Sequence, residues 1–445
     1  MFYTDGVRIR DFVDGPAISG DIDGFDGKKV RLEGVVHSIR DIGDVAFIII
    51  RKATGLVQCV YEEGRVNTPL SEIKEESSVR LEGRVSKENR APGGFEIRIY
   101  SIEILSAPKE VLPIPINRWK INSSLETKLA LRPISLRHIK ERAKFKIQEG
   151  IVRGFREFLS SQGFTEVHTP KIVARGAEGG ANVFKLEYFG KHAELAQSPQ
   201  FYKQMMVGVF DRVYEVAPVF RAEKHNTTRH LNEYISLDFE MGFIDSYTDI
   251  MDMETGFLKY TMELLQREYK KEIELLGIEL PVIESIPCVR FDEAKECVSK
   301  KYNRKIRNPY DLEPEEEQLI SQYYKEECGS DFVFVTHYPT KKRPVYAMED
   351  PSDTTYTLSF DLLYKGIEVT TGGQRIHELD MLLEKIEKRG MTSEGMEDYL
   401  SIFRYGMPPH GGLGLGLERL TMKLIGESNV RETSLFPRDV TKLEP

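Results

Sequence analysis

Residues from about 28 to 105 alternate apolar and polar positions over short runs that are punctuated by Gly and Asn. The runs are "KKVRLEGVVHSIRD", "VAFIIIRKATGLVQCVY", "SSVRLEGRVSKE" and "GGFEIRIYSIEIL". Period-two alternation over such lengths predicts half-buried β-strands. About five strands in so few residues favour a small closed barrel, and a β-sandwich is the alternative.

A different pattern begins after this region. "SAPKEVLPIPINRW" is a Pro-rich connector that cannot pair as a central strand. Apolar residues then recur at helical spacing and predict one long helix that ends at Gly163; they are Ile139, Phe145, Ile147, Ile151, Phe155 and Phe158. "FTEVHTPKIV" is predicted to follow as a strand, and "EPEEEQ" from Glu313 to Gln318 as a solvated helix start. Strands and helices mix to the end, which predicts an α+β domain of about 300 residues.

The bulk numbers limit the class of protein. The chain has 445 residues, so two or three domains are expected. A net charge of -9 argues against general stickiness to nucleic acid but allows a local basic groove. The four Cys have no metal-binding spacing and are expected to be reduced thiols in a cytoplasmic protein. Neither a signal peptide nor a membrane span is predicted.

The stretch "VYEVAPVFRAEKHNTTRHLNEYISLDFEMGF" predicts two strands joined by a polar loop. Arg221 and Glu223, two residues apart at the end of the first strand, are predicted to share one face. An Arg fork grips phosphate or carboxylate, and a neighbouring Glu can accept from a base amine. The loop adds Arg229 and His230. The alternative is a surface ion-pair network.

A second stretch, "SFDLLYKGIEVTTGGQRIHELD", holds oxygen donors followed by two glycines and an arginine. Asp361, Glu368 and Thr371 suit Mg²⁺, which prefers hard oxygen ligands and bridges substrate phosphates. The pair Gly372 and Gly373 would let backbone approach a ligand closely. Arg375 offers a fork for a carboxylate. The alternative is a tight turn after a buried strand.

Three shorter segments carry further candidates. "YGMPPHGGLGLGLERLTMKLI" lacks the GK[ST] of a phosphate loop, but it places Arg419 at a helix start. "VARGAEGGANVF" has one carboxylate, Glu178, that could close over an ammonium group. "AQSPQFYKQMM" sets Gln200 and Lys203 one helical turn apart. Taken alone, each could be a solvated residue or a mobile loop.

No hydrolase triad, paired-acid site or zinc motif is evident in the chain. Arg forks and metal carboxylates without a nucleophile suit a reaction in which the substrate's own carboxylate attacks a phosphate. The protein then positions the reactants and neutralises charge.

Together these segments resemble the aspartyl-tRNA synthetases of the archaeal and eukaryotic type, in class IIb. "GFTEVHTPKI" is similar to class II motif 1, with Pro170 at the subunit interface. "FRAEKHNTTRHLNEYISLDFE" is similar to motif 2, and "GLGLGLERL" to motif 3. The resemblance implies an OB-fold anticodon-binding domain over 1–107 and a hinge over 108–137. Over 138–445 it implies a class II catalytic domain, an antiparallel sheet flanked by helices. It also implies a homodimer.

The resemblance further implies roles for individual residues. Arg221 and Arg419 are the expected catalytic cations, on the α-phosphate and the outer phosphates. The expected ATP-binding residues are Arg221, Glu223, Arg229, His230, Leu231, Tyr234, Glu368, Gly416 and Arg419. The expected aspartate-binding residues are Glu178, Gln200, Lys203, Arg221, Thr371 and Arg375. Asp361, Glu368 and Thr371 are expected to bind Mg²⁺; many relatives have Ser at the place of Thr371.

The family's anticodon readers map onto the barrel at Phe47, Gln58 and Glu96. Relatives restricted to tRNA(Asp) have Trp at the place of His37 and Lys at the place of Pro92. The resemblance to relaxed members therefore implies a non-discriminating enzyme that charges both tRNA(Asp) and tRNA(Asn), with an amidotransferase completing asparaginyl-tRNA. The alternatives are a discriminating enzyme, an asparaginyl-tRNA synthetase, a tRNA-independent asparagine synthetase and an inactive RNA-binding paralogue.

Overall fold

The structure is a computed structural model that describes residues 26–53, 55–91, 94–176, 182–225 and 227–444. The chain forms two compact units, Met1–Arg142 and Ala143–Pro445. In these described segments, no helix has the length and apolar character needed to cross a membrane.

The first unit contains a closed five-stranded barrel, in the order β1-β2-β3-β5-β4. Its strands are β1 (Lys29–Asp41), β2 (Val45–Lys52), β3 (Gly55–Glu62), β4 (Ser78–Lys87) and β5 (Phe95–Ser106). The interior is filled by alternate apolar residues that are fully buried, such as Leu32, Ile48 and Leu81. The barrel prediction is therefore confirmed over the β-sandwich alternative, since β1 pairs with both β2 and β4 and leaves no open edge.

The Pro-rich segment after the barrel forms no strand. It contributes a small apolar cluster around Ile114, Ile116 and Ile121. Two short helices follow, α1 (Leu125–Ala130) and α2 (Arg132–Ser135). Trp119 remains half exposed, with the Lys140 ammonium 3.8 Å from its ring centroid.

The second unit is built on an eight-stranded sheet that is flanked by helices. The helices are α3 (Ile139–Ser161), α4 (Gln200–Phe210), α5 (Thr248–Glu268), α6 (Lys270–Leu276), α7 (Phe291–Tyr302), α8 (Pro314–Cys328), α9 (Leu379–Lys388), α10 (Glu397–Arg404) and α11 (Leu417–Leu424). The strands of the main sheet are β6 (Thr165–Glu166), β10 (Arg212–Phe220), β11 (Glu233–Gly242), β12 (Cys288–Arg290), β13 (Phe332–Thr336), β16 (Ser359–Tyr364), β17 (Ile367–Arg375) and β18 (His410–Gly416).

The order of this sheet is β12-β13-β16-β17-β18-β11-β10-β6. Only its two end pairs, β12 with β13 and β10 with β6, are parallel. Two small sheets accompany it, formed by β7 (Ile172–Val173), β8 (Lys185–Tyr188) and β9 (Lys191–Leu195), and by β14 (Glu349–Asp350) and β15 (Asp353–Thr357). The prediction of an α+β fold with an antiparallel sheet flanked by helices is confirmed.

The predicted long helix is α3. Ile147, Ile151 and Phe155 are fully buried because their spacing places them on one face toward the core. Phe155 makes an edge contact with Phe257 of α5, with ring centroids 5.1 Å apart. Gly163 has a φ of +79°, a conformation that favours glycine and lets the chain turn away from the helix.

Two local predictions are wrong, and a third is right only in part. "FTEVHTPKIV" is not one strand, because only β6 and β7 are extended there and Pro170 between them has no amide donor for a ladder. Arg221 and Glu223 lie in the loop beyond β10, which ends at Phe220. The segment Glu313 to Gln318 does contain the start of a helix, but that start is solvated only in part: Glu315 is exposed, whereas Glu316 and Glu317 are 2% and 5% exposed and accept hydrogen bonds from Lys295 and Arg229.

The glycine pair on β17 serves the packing of the protein itself. A Cβ on Gly372 would lie 2.4 Å from the Phe360 ring, and one on Gly373 2.7 Å from the Leu358 carbonyl oxygen. Gly373 also has a φ of +152°. Side chains at these positions would therefore push neighbouring strands apart.

Candidate active site

A cavity of about 360 Å³ lies in the second unit. Its walls include nearly all the site residues that the sequence predicted in this part of the chain: Gln200, Lys203, Arg221, Glu223, Arg229, His230, Leu231, Tyr234, Asp361, Glu368, Thr371, Arg375, Gly416 and Arg419. Glu178 lies outside the described residues. Segments that are far apart in sequence thus contribute to one polar site.

One end of the cavity holds two buried cations. Lys203 on α4 and Arg375 at the end of β17 are 1% and 6% exposed. Lys203 Nζ donates to Asp238 Oδ1 at 3.0 Å and to the Leu413 carbonyl oxygen at 2.8 Å. Arg375 Nε donates to Glu240 Oε1 at 2.9 Å. Each cation therefore has a buried carboxylate partner.

The two carboxylates on β11 were missed by the sequence interpretation. Asp238 and Glu240 are 2% and 0% exposed. Burial raises the pKa of Glu240, but the charges of Arg375 and Lys203 outweigh it and hold the pKa below its ordinary value. The signal was present in the sequence: two acids at period-two spacing in an apolar strand point to one face, and buried acids require partners.

Gln200 joins these charged groups into one network. Its Nε2 lies 3.4 Å from Glu240 Oε2, and its Oε1 lies 3.4 Å from Arg375 Nη2. Arg375 also donates to the Gly412 carbonyl oxygen at 2.9 Å. The network fixes the orientation of both cations before any ligand arrives.

The other end of the cavity collects cations from the motif 2 loop and from α11. Arg419 Nε donates to the Arg229 carbonyl oxygen at 3.1 Å, and Arg419 Nη1 to the Glu368 carbonyl oxygen at 3.1 Å. The Arg221 guanidinium carbon lies 5.6 Å from the centroid of the Tyr234 ring. This clustering of guanidinium groups suits a ligand with several phosphates.

His230 lies at the same end. Its Nδ1 is 2.6 Å from Thr227 Oγ1, and its Nε2 is 3.8 Å from Glu223 Oε2. Burial, aided by the charge of Arg419, lowers the pKa of His230 below its ordinary value. The neutral imidazole is therefore favoured near pH 7.

The three candidate Mg²⁺ ligands lie on neighbouring strands. Asp361 on β16 is directly opposite Thr371 on β17. A bulge between Leu362 and Leu363 shifts the register, and Thr371 Oγ1 donates to Glu368 Oε1 at 3.3 Å. Glu368 and Thr371 are three residues apart, and on a regular strand their side chains would face opposite sides of the sheet. The bulge brings them to the same side.

This donor set is compatible with Mg²⁺. No group of three or more His, Cys, Asp or Glu side chains placed to hold a metal occurs in the part of the chain that the structure describes. Mg²⁺ commonly uses only one or two carboxylates, and phosphates and waters complete its shell. Two carboxylates with a hydroxyl beside a cation-rich cavity meet that requirement.

Arg343 was not found from the sequence. It lines the cavity, and its Nη2 donates to Asp361 Oδ1 at 2.7 Å. Its guanidinium carbon lies 3.9 Å from the centroid of the Tyr338 ring. Burial raises the pKa of Asp361 to about 6 although Arg343 opposes this rise. The sequence "TKKRP" around Arg343 shows no apolar periodicity that would single out this arginine among its basic neighbours.

In the barrel, three of the predicted anticodon readers share one face. Phe47 on β2 is opposite Val60 on β3, and Gln58 is two residues away on the same side. Gln58 Nε2 donates to Glu96 Oε2 at 3.4 Å. Phe47 and Gln58 are half-buried, whereas Glu96 is buried. An aromatic face beside two polar groups suits an unstacked base.

His37 is placed differently from these three. It occupies the bulge in β1 between Val36 and Ser38 and is 3% exposed. Its Nδ1 lies 3.1 Å from Arg51 Nη1, and Arg51 makes two hydrogen bonds to Glu76, of 2.7 and 2.8 Å. Burial lowers the pKa of His37 to about 4. The resemblance makes His37 a candidate contact for the third anticodon base of either tRNA, because its ring can both donate and accept; in this structure the ring is buried and bonded to Arg51. Pro92 lies outside the described residues.

Two family models match the chain. "tRNA synthetases class II (D, K and N)" matches residues 124–440, and "OB-fold nucleic acid binding domain" matches residues 30–105. The first match covers more than half of the chain and contains every residue of the cavity.

Curated relatives match over nearly their whole length. "Aspartate--tRNA(Asp/Asn) ligase" of Deinococcus radiodurans is 48% identical, over 94% of this chain and 96% of the relative. The protein of the same name from Thermus thermophilus is 46% identical, over 94% and 97%. "Aspartate--tRNA(Asp) ligase" of Pyrococcus horikoshii is 40% identical, over 95% and 97%.

Solved structures agree with the fold. Asparaginyl-tRNA synthetase from Pyrococcus horikoshii, complexed with asparaginyl-adenylate, superposes with a TM-score of 0.88 at 34% identity, over 95% of this chain and 97% of that chain. Aspartyl-tRNA synthetase from Entamoeba histolytica gives a TM-score of 0.83 at 30% identity, over 96% and 93%. The resemblance is confirmed at this level: the chain belongs to the class II tRNA synthetases of the aspartate, lysine and asparagine group (D, K and N).

Proposed function

We propose that this chain is an aspartate–tRNA ligase. It activates L-aspartate with ATP to aspartyl-adenylate and transfers the aspartyl group to the 3′ end of tRNA. The single observation that carries the proposal is the buried pair of cations, Lys203 and Arg375, in the same cavity as Arg221 and Arg419. The names of the curated relatives, at 40–48% identity, agree with it.

Lys203 and Arg375 bind the side-chain carboxylate of aspartate in this proposal. Both are held in place by Asp238 and Glu240, so little reorganisation is needed when the substrate enters. Gln200 and Thr371 belong to the same pocket, and Glu178 receives the ammonium group. The amide of asparagine has only one oxygen that can accept, and its NH2 group would face a cation with hydrogen-bond donors of its own. This is a poorer match to two cations than a carboxylate.

The other end of the cavity binds ATP. Arg221 holds the α-phosphate beside the attacking carboxylate of aspartate. Arg419 and Arg229 neutralise the outer phosphates, and the neutral His230 ring donates a hydrogen bond to them. Glu223 accepts from the adenine amine, and Tyr234 lies against the ring. Leu231 and Gly416 complete the walls of this end. A Cβ added at Gly416 would only touch the Arg419 side chain, at 3.9 Å.

Asp361 and Glu368, with the hydroxyl of Thr371, would hold Mg²⁺. When bound there, the ion would supply positive charge against the phosphates. The protein's own residues orient the reactants: the aspartate carboxylate attacks the α-phosphorus, pyrophosphate leaves toward Arg419, and the adenylate remains on Arg221. The tRNA ribose hydroxyl then attacks the activated carbonyl and releases AMP.

The barrel reads the anticodon and accepts both tRNA(Asp) and tRNA(Asn).

Residues 1–107 are assigned to this domain, residues 108–137 to the hinge and residues 138–445 to the catalytic domain. Relatives named for both tRNAs at 42–48% identity support relaxed choice, whereas a relative at 40% is named for tRNA(Asp) alone. An amidotransferase then converts the product on tRNA(Asn). A cytoplasmic homodimer with Pro170 at the subunit interface completes the proposal.

The second candidate function is that of an asparaginyl-tRNA synthetase, and one specific observation favours it. The asparaginyl-tRNA synthetase structure from Pyrococcus horikoshii superposes over nearly the whole chain. ATP–pyrophosphate exchange with aspartate and with asparagine, each at saturating ATP, separates the two. Exchange that depends on aspartate supports the proposal; exchange that depends on asparagine, or no exchange at all, contradicts it.

A further inference from the structure

Glu317 on α8 is a buried acid that belongs to none of the three class II motif segments. Its side chain is 7% exposed, and its Oε2 accepts from Arg229 Nη2 at 2.6 Å. The same oxygen accepts from the backbone N–H of Glu368 at 3.1 Å. One carboxylate oxygen thus connects a cation of the motif 2 loop with strand β17.

These contacts close a ring of hydrogen bonds around the phosphate end of the cavity. Arg419 donates to the carbonyl oxygens of Arg229 and Glu368, each at 3.1 Å. Glu317 joins the same two residues from the opposite side, through the Arg229 side chain and the Glu368 amide. Motif 2 and β17 are therefore tied together twice, once by α11 and once by α8.

Helix α8 is anchored firmly enough to fix the position of Glu317. Glu313 and Glu316 form a capping box at its start. Glu316, 2% exposed, accepts from Lys295 at 2.5 Å and from Arg304 at 2.8 Å. A side chain one residue after such an anchor has little freedom, so its carboxylate can orient a flexible arginine.

The contact between Arg229 and Glu317 is a hydrogen bond between a guanidinium and a carboxyl group. Both side chains have little solvent access, at 17% and 7% exposure; burial raises the pKa of Glu317 to about 7, and the charge of Arg229 opposes that rise and favours the carboxylate. Charge-assisted hydrogen bonds of this kind contribute more than neutral ones, and loss of one partner leaves the other poorly solvated. Without Glu317, the Arg229 guanidinium would lose its only hydrogen-bonded carboxylate among the contacts recorded for the described residues.

We propose that Glu317 is a positioning residue for ATP: it holds the Arg229 guanidinium at the phosphate end and seats the Glu368 segment of β17. It acts through Arg229 and Glu368 and does not itself touch substrate. The inference rests on the proposed function for its kinetic readout, since Arg229 is assigned there to the phosphates. Helix α8 thereby becomes part of the active site although the motif segments do not include it.

The test compares Glu317→Gln with Glu315→Gln. Glu315 lies on the same helix turn but is 65% exposed and pairs with Arg304 at 3.0 Å. In ATP–pyrophosphate exchange, Glu317→Gln is expected to raise the KM for ATP about tenfold, the size of one charged hydrogen bond. The KM for aspartate should stay within about twofold, because the cations of the amino-acid end are unchanged. Glu315→Gln should leave both constants within about twofold of wild type.

A double-mutant cycle separates positioning from a structural role. In an Arg229→Ala background, Glu317→Gln should raise the KM for ATP by clearly less than it does in wild type, because one of its two targets, the Arg229 guanidinium, is gone. An unchanged KM for ATP in Glu317→Gln overturns the inference. So does an equal rise of both KM values with a lowered Tm, or full additivity with Arg229→Ala.

Calorimetric titration of ATP without amino acid gives an answer that does not depend on aspartate activity. About tenfold weaker ATP binding by Glu317→Gln supports the inference even if wild type activates no aspartate. Equal ATP affinity in wild type and variant overturns it. Absence of aspartate-dependent exchange in wild type, by contrast, contradicts the proposed function alone.

Discussion

The ammonium nitrogen of Lys203 lies 3.0 Å from Asp238 Oδ1, and both side chains are almost completely buried. Glu240 is 3.3 Å from the same nitrogen. Lys203 is therefore already charge-compensated before any substrate binds. Selection of aspartate has to come from the added hydrogen bonds that its carboxylate accepts in a fixed geometry, and not from net charge alone.

The first prediction follows from this pairing. Lys203→Leu alone should lose about 3–5 kcal/mol of stability, because it leaves the buried Asp238 without its cation. The double variant Lys203→Met with Asp238→Asn removes one charge of each sign and should fold. It should still lose at least ~2–5 kcal/mol of aspartate activation in pyrophosphate exchange. Near wild-type exchange in a folded double variant would contradict the role of Lys203.

The second prediction concerns the metal. Glu368→Ala should abolish adenylate formation, because charge on the phosphates is no longer neutralised at that point. Mn²⁺ binding, measured by electron paramagnetic resonance as a stand-in for Mg²⁺, should weaken in parallel. Asp252→Ala, an exposed acid on α5, is the matched control. Full wild-type exchange in excess chelator would show that the two acids serve structure only.

The third prediction concerns tRNA choice. Purified tRNA(Asp) and tRNA(Asn) should both be charged with aspartate. A preference above ~10³-fold for tRNA(Asp), about 4 kcal/mol, would contradict relaxed recognition. His37→Trp with Pro92→Lys should move the enzyme toward that preference. Because His37 is buried against Arg51, the larger ring has to displace that contact, so the Tm must be measured too.

Phe47→Ala provides the comparison for that experiment. Stacking does not depend strongly on base identity, so both tRNAs should lose about 1–3 kcal/mol together. If His37→Trp with Pro92→Lys also weakens both tRNAs equally, these positions do not select between anticodons.

The fourth prediction concerns pH. Glu254 is fully buried on α5, and burial raises its pKa from 4.5 to about 8. The folded chain then keeps a proton that the unfolded chain releases above pH 4.5, so this group's contribution to stability falls as pH rises from about 5 to 8. The slope is at most about 1.4 kcal/mol per pH unit.

Glu254→Gln should remove that slope. Urea unfolding of the full chain at pH 5.5, 6.5 and 7.5 should show the variant gaining on wild type as pH increases. Glu263→Gln, an exposed position on the same helix, should follow the wild-type trend. A constant difference between Glu254→Gln and wild type at all three pH values would mean that Glu254 ionises normally.

Much of the fold was predictable because it depends on local periodicity. Alternation alone indicated the barrel strands, and helical spacing of Ile147, Ile151 and Phe155 indicated α3. Strand ends were less certain. The end of β10 at Phe220 is the point where its pairing with β11 stops. The sequence alone does not show whether Arg221 and the residues after it still belong to the strand.

The candidate site shows the same division. Residues with unusual chemistry in short motifs, such as Arg221, Glu368 and Arg419, could be named from the sequence because polar groups stand out against glycine and apolar neighbours. Their lining of one cavity is a property of the sheet order, which sets β17 beside β18 and β18 beside β11.

The sequence by itself determined the barrel, the α+β class, the long helix and the kinds of side chain the chemistry requires. Only the tertiary structure decided how charges are compensated: Asp238 and Glu240 against Lys203 and Arg375, Arg343 against Asp361, Glu317 against Arg229, and Arg51 against His37. The physical reason is that burial and ion pairing depend on distances between residues remote in sequence. A charged residue in a one-dimensional pattern has the same appearance whether water or a buried counter-ion surrounds it.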